Sequence, residues 1–129
     1  LRSGWSAPEV GVNWTDGGKA LLALPTGPPA SAVELEVLLK PFLVPGKATR
    51  QRVRVYVNEQ LVGEWILTSD EFQEKTMLIP AQFLNGRART VVAFELPDAI
   101  SPAQLGIGGD VRRLAAAFRS LRLSKRNGR

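Results

Sequence analysis

Extended, alternating runs dominate the hydrophobic pattern of this chain. Val33, Leu35, Val37 and Leu39 fall on one face of a segment whose other face carries Glu34 and Glu36, as in a strand buried on one side. Pro41 and Pro45-Gly46 close it. Val53, Val55 and Val57 then alternate with Arg52, Arg54 and Tyr56. After the polar turn Asn58-Glu59-Gln60 the chain resumes with Leu61, Gly63, Trp65 and Leu67, which together predict a β-hairpin.

Further strands are predicted around this hairpin. Lys19 to Leu24 follows the turn Thr15-Asp16-Gly17-Gly18 and stops at Pro25, and Thr26-Gly27-Pro28-Pro29 is a loop. Thr76 to Ile79 is halted by Pro80, Ala81 to Leu84 makes one helical turn before Asn85-Gly86, and Thr90 to Leu96 is stopped by Pro97. Ser101-Pro102-Ala103-Gln104-Leu105 reads as a short N-capped helix, with proline at its first position and Gly106 as its terminator. The last segment carries two periods. Leu114, Ala117, Phe118 and Leu121 have helical spacing, whereas Leu121 and Leu123 alternate with polar neighbours as in a strand. A strand over Arg119 to Leu123 is preferred, because it closes a sandwich and covers an edge that a lone helix leaves open. The predicted fold is all-β, an antiparallel β-sandwich of jelly-roll type like galactose-binding and carbohydrate-binding modules. It occupies residues 1–124 as a single domain, with 125–129 as a basic tail or linker remnant.

Composition narrows the chemistry. The 129 residues contain no cysteine and no histidine, so thiol chemistry, disulfides and Ser/His or Cys/His nucleophiles are excluded, and any metal would have only oxygen ligands. No metal site and no cofactor are predicted, since no ligand spacing marks one. No apolar run reaches the length of a membrane-spanning helix. The opening Leu1-Arg2-Ser3-Gly4-Trp5 lacks an initiator methionine and a signal-peptide core, which suggests a piece of a longer chain. Nothing in it requires export, so a cytoplasmic location is preferred to a periplasmic one.

Lys and Arg number 17 against 12 Asp and Glu, a net charge of +5. Part of the excess sits at the C-terminal end, and Arg50, Arg52 and Arg54 form a positive stripe opposite Val53 and Val55. Such a stripe is more often a solvated sheet face than a nucleic-acid site. Tyr56 is the one aromatic beside it, and nucleic-acid binding is not expected. The glycine-rich Gly106-Ile107-Gly108-Gly109-Asp110 lacks the Lys-Ser/Thr of a phosphate loop and reads as a plain turn. Among the carboxylates Glu9, Asp16, Asp70, Glu71, Asp98 and Asp110 no pair is marked for acid–base hydrolysis, so the domain is read as non-catalytic. Of the tryptophans, Trp65 is in phase with Leu61 and Leu67 and reads as core. Trp5 and Trp14 could present an indole face to a sugar ring.

Gly4-Trp5-Ser6-x-Pro8-Glu9, then Trp14-Thr15-Asp16-Gly17, and later Ser101-Pro102-Ala103-x-Leu105-Gly106 with Asp110-x-Arg112, resemble in order a β-sandwich accessory domain at the C-terminal end of bacterial glycosyltransferase-like proteins. The resemblance spans nearly the whole chain. It implies a non-catalytic role beside a catalytic domain that builds surface polysaccharide, and it supports the closing strand. Glu59 departs from it, since glycine is expected after Asn58. The resemblance transfers no binding site.

The expected ligand site, if the domain holds a glycan, is Trp5, Glu9, Trp14, Asp110 and Arg112, brought together where the sandwich's termini meet. The same residues also suit a structural lock, with Glu9 paired to Arg112. Two functions therefore stand side by side. One is a carbohydrate-binding or glycan-positioning module of a glycosyltransferase-like protein. The other is a structural domain that docks on the catalytic part of the parent chain.

Overall fold

In the computed structural model the described residues are 2, 3, 13, 14, 17–25, 32–84, 89–110 and 113–125. They form β1 (Arg2–Ser3), β2 (Asn13–Trp14), β3 (Lys19–Pro25), β4 (Val33–Pro41), β5 (Gln51–Val57), β6 (Gln60–Leu67), β7 (Gln73–Ile79), a 3-10 turn (Ala81–Phe83), β8 (Arg89–Glu95), helix α1 (Pro102–Leu105) and β9 (Ala116–Lys125). The strands make two sheets, one of five in the order β1-β3-β8-β5-β6 and one of four in the order β2-β9-β4-β7. Every ladder is antiparallel. Among the described strands, the β5–β6 hairpin is the one connection that stays within a sheet. All others cross between layers, as in a jelly roll.

The alternation read from the sequence places the core. Val33, Leu35, Val37 and Leu39 of β4 face Val53, Val55 and Val57 of β5, and all seven are buried together with Trp65, Leu67 and Phe94. Phe94 of β8 meets Phe118 of β9 across the sandwich, with ring centroids 5.0 Å apart and tilted at 47°, a favourable aromatic geometry. Trp65 and Leu67 are core, as their phase predicts, but Leu61 is not in phase with them: the register shift between Val55 and Tyr56 puts it opposite Tyr56, exposed on the outer face. At the β6 edge, a Cβ on Gly63 would stand 2.8 Å from Met77 Cε, so glycine there makes room for the Met77 side chain.

The closing segment is a strand, longer than Arg119 to Leu123. The helical spacing from Phe118 to Leu121 has a specific origin. Leu39 pairs with Phe118 but Leu38 pairs with Ser120, so the register shifts and Arg119 is an extra residue in β9. A bulge of this kind puts two residues against one. It converts the period-2 spacing of core residues into an i, i+3 step, and Leu121 and Leu123 still pack on the core. Strand β9 extends through Lys125, which pairs with Val33. Strand β7 also begins earlier than its apolar residues indicate, because the polar Gln73, Glu74 and Lys75 pair with Leu39, Leu38 and Val37 at the sheet's edge.

Ser101 caps α1 by accepting from Gln104 N while the Gln104 side chain returns to Ser101 N, and Gly106 ends the helix at φ +73°. That capping box is what Ser-Pro-x-Gln predicts. In the β5–β6 hairpin, Val57 pairs with Gln60, leaving a two-residue loop in which Asn58 has φ +48° and Glu59 φ +73°. Positive φ at both positions is the type I′ turn that fits strand twist. Asn58 is buried at 6% exposure. Its Nδ2 donates to Phe83 O (2.8 Å), its Oδ1 accepts from Val91 N (3.0 Å) and its backbone N–H donates to Val91 O (2.9 Å). The side chain thereby ties the hairpin to β8 and to the 3-10 turn. Glu59 takes the place expected for glycine and adopts the left-handed conformation regardless, at a cost of about 1 kcal/mol.

Candidate functional site: a groove on the five-stranded sheet

The outward residues of the central strands form rows across the sheet. Lys19, Glu95, Arg54 and Glu64 are cross-strand neighbours in succession on β3, β8, β5 and β6. The next row is Leu21, Ala93, Tyr56 and Leu61. A charged row thus lies beside an apolar one. Over Leu21, Ala93 and Tyr56 lies an open groove of about 520 Å³, bounded by Lys19 and Glu95 on one side and by Asn58, Glu59 and Val91 on the other. Small-molecule sites typically run from about 300 to 1,000 Å³.

Charge is balanced locally along one wall. Arg54 donates from Nη1 to Glu95 Oε1 (2.8 Å) and from Nε to Glu64 Oε2 (3.0 Å). These two bonds, Glu95 first, hold its guanidinium pKa above the ordinary value. One row further along, Arg52 grips Asp98 through Nη2 to Oδ1 (2.8 Å) and Nε to Oδ2 (3.0 Å), and its backbone N–H donates to Oδ2 as well (2.9 Å). The hydrogen bonds from Arg52 hold the Asp98 carboxyl below the ordinary carboxylate value, against the opposing effect of its partial burial. The expected positive stripe is therefore corrected. Arg52 and Arg54 are neutralised by carboxylates that arrive from β6 and β8 and from the turn after β8, partners that no local pattern reveals. Arg50 lies exposed just before β5.

Of the residues expected to form a ligand site, Trp5, Glu9 and Arg112 lie outside the described residues, as do Asp16 and the turn Asn85-Gly86. The backbone of Trp14 pairs with Ala117 in the four-stranded sheet. Asp110 is partly buried, and its carbonyl accepts from Ala103 N at 2.9 Å beside α1. The glycine-rich segment starts as the C-cap of that helix and is a turn. Among the described residues no three Asp or Glu side chains gather as a cation would need, and no helix is long and apolar enough to cross a membrane. Sequence reasoning placed Tyr56 on an exposed face but missed the groove, because Leu21 and Ala93 reach it from distant strands.

No protein-family model matches the sequence, and no curated protein matches it. Solved structures do. A carbohydrate-binding module, CBM36, in complex with calcium and xylotriose is similar with a TM-score of 0.52 at 11% identity, over 88% of this chain and 78% of that one. The CBM36-1 domain of a multidomain xylanase from the hindgut metagenome of Trinervitermes trinervoides gives 0.50 at 10% identity, over 89% and 78%. A CBM4 module gives 0.52 at 10% identity, over 96% and 76%. At such identities the likeness is one of fold, and the fold it shows is the antiparallel jelly-roll β-sandwich.

Proposed function

We propose that this domain is a non-catalytic glycan-binding module whose site is the groove over Leu21, Ala93 and Tyr56. The observation that carries this reading is the pairing of an open aromatic-apolar floor with polar walls. A pyranose ring presents an apolar face that packs on a flat aromatic side chain, and its hydroxyls need donors and acceptors at the rim. Tyr56 supplies the first, and Lys19, Glu59 and Glu95 the second. The carbohydrate-binding modules of like fold, one of them solved with xylotriose, support it by analogy alone. Glycoside hydrolysis needs two free carboxyl groups across a bond. Glu95 is committed to Arg54, which supports a binding role without chemistry.

The resemblance to accessory domains supports a position beside the catalytic domain of a bacterial glycosyltransferase-like protein, where the module would hold growing polysaccharide; the cytoplasmic side is preferred to the periplasmic one because nothing in the sequence requires export. A second reading, docking on that catalytic domain, is favoured by one feature. Leu61 and Ile66 of edge strand β6 are 54% and 53% exposed, and Leu78 of edge strand β7 is 46% exposed. Leu61 and Ile66 lie on the outer face of the five-stranded sheet on either side of Glu64, and Leu78 lies on that of the four-stranded sheet; large apolar side chains exposed at two sheet edges suit protein contacts.

A glycan array probed with the purified domain, followed by amide chemical-shift mapping with the best glycan, separates the two. Saturable binding with shifts concentrated at residues 19–21, 56–59 and 91–95 is the expected result. Absence of binding at high protein concentration would favour docking through β6 and β7.

A further inference from the structure

Backbone strain that the fold does not use sits at the rim of the groove. Asn58 and Glu59 both have positive φ, but only Asn58 has a structural reason to be there. Its short side chain tolerates the left-handed region and makes two buried hydrogen bonds. Glu59 is exposed, and among the described residues its carboxylate has no hydrogen-bond or ion-pair partner. Glycine would satisfy the same turn without strain. Strained non-glycine residues persist where the side chain serves something other than the fold. Glu59 lines the groove on the side opposite Lys19 and Glu95.

We infer that Glu59 is the specificity-determining residue of the groove, its carboxylate accepting hydrogen bonds from the hydroxyls of a neutral saccharide that lies on Tyr56. This rests on the glycan reading above. A carboxylate offers acceptors only, and two oxygens side by side suit adjacent sugar hydroxyls. The local charge selects against acidic sugars. Along the groove and the charged row beside it, Glu59, Glu64 and Glu95 outnumber Lys19 and Arg54, although the chain as a whole carries +5. A uronate would bring its own negative charge against an unpaired one.

The test compares wild type with Glu59→Gly and Glu59→Gln by calorimetric titration with xylohexaose, cellohexaose and mannohexaose, with hexagalacturonate as the anionic counterpart, and by thermal unfolding. Wild type should prefer a neutral oligosaccharide. Glu59→Gly should unfold about 3 °C higher and bind that oligosaccharide about tenfold more weakly or worse, as expected for a lost charge-assisted hydrogen bond. Glu59→Gln keeps the strain and one acceptor, so it should fall between. A Glu59→Gly variant that binds as wild type does, or is less stable than wild type, would overturn the inference while leaving the glycan reading intact. So would a wild-type preference for hexagalacturonate. A wild type that binds none of the four sugars, nor any glycan on the array, would remove the glycan reading itself.

Discussion

Among the described residues, each outer face of the sandwich carries an aromatic side chain, Phe72 on one and Tyr56 on the other, and their surroundings differ. On the four-stranded sheet, Phe72 lies under cations. The Arg119 guanidinium stands 4.1 Å from its ring centroid and Lys40 Nζ 5.4 Å. The depression nearby is about 280 Å³ and is lined by Glu36 and Arg122, which bond each other. On the five-stranded sheet, among the described residues, no charged group covers the Tyr56 ring, and the larger groove lies over it. An aromatic whose face is occupied by its own protein contributes to the fold, whereas one left open has its face available to a partner. The bulge at Arg119 carries this difference, since the same extra residue that keeps Leu121 on the core brings the guanidinium to Phe72.

The open face depends on one side chain more than on any other. Asn58→Ala leaves Phe83 O and Val91 N without their partners in a buried site and puts a Cβ-bearing residue without compensation at positive φ. The expected loss is about 3 kcal/mol in urea unfolding, with the groove's wall released from β8. A loss below about 1 kcal/mol would show that the turn holds itself and that Asn58 is not its anchor.

A smaller effect is expected at the neighbouring row. Asp98 has a folded pKa below its ordinary 3.8 because Arg52 stabilises its charged form. A depressed carboxylate contributes stability that is complete above the unfolded pKa and is lost as pH falls through the folded one. The stability gap between wild type and Asp98→Asn should therefore be constant from neutral pH down to about 4 and close below it. A gap that stays open at low pH would mean that the contact is neutral in character and that the charge adds nothing.

Much of the fold is legible in the sequence, for a physical reason. Strands β4 and β5 each face the core on one side, so burial writes a period of two into Val33 to Leu39 and Val53 to Val57. The Ser101 cap and the hairpin turn are local, and their chemistry lies within a few residues. Sheet order is not local. Lys19 meets Glu95, and Leu39 meets Phe118, across separations that no periodicity encodes. The groove inherits that limit, since its floor comes from β3, β8 and β5. The bulge in β9 overlaid a helical spacing on a segment that also reads as a strand. Two residues of the groove stood out in advance, Tyr56 as the aromatic beside the arginine stripe and Glu59 in a turn where glycine is expected.

The comparison between the faces is tested most directly by measuring the affinity of Tyr56→Ala and Phe72→Ala for the same glycan, after circular dichroism shows both variants folded. Tyr56→Ala should lose about tenfold or more, in line with the roughly 1–3 kcal/mol of a stacked aromatic contact, while Phe72→Ala should bind as wild type does. Equal affinity of Tyr56→Ala and wild type, or a loss confined to Phe72→Ala, would contradict the comparison.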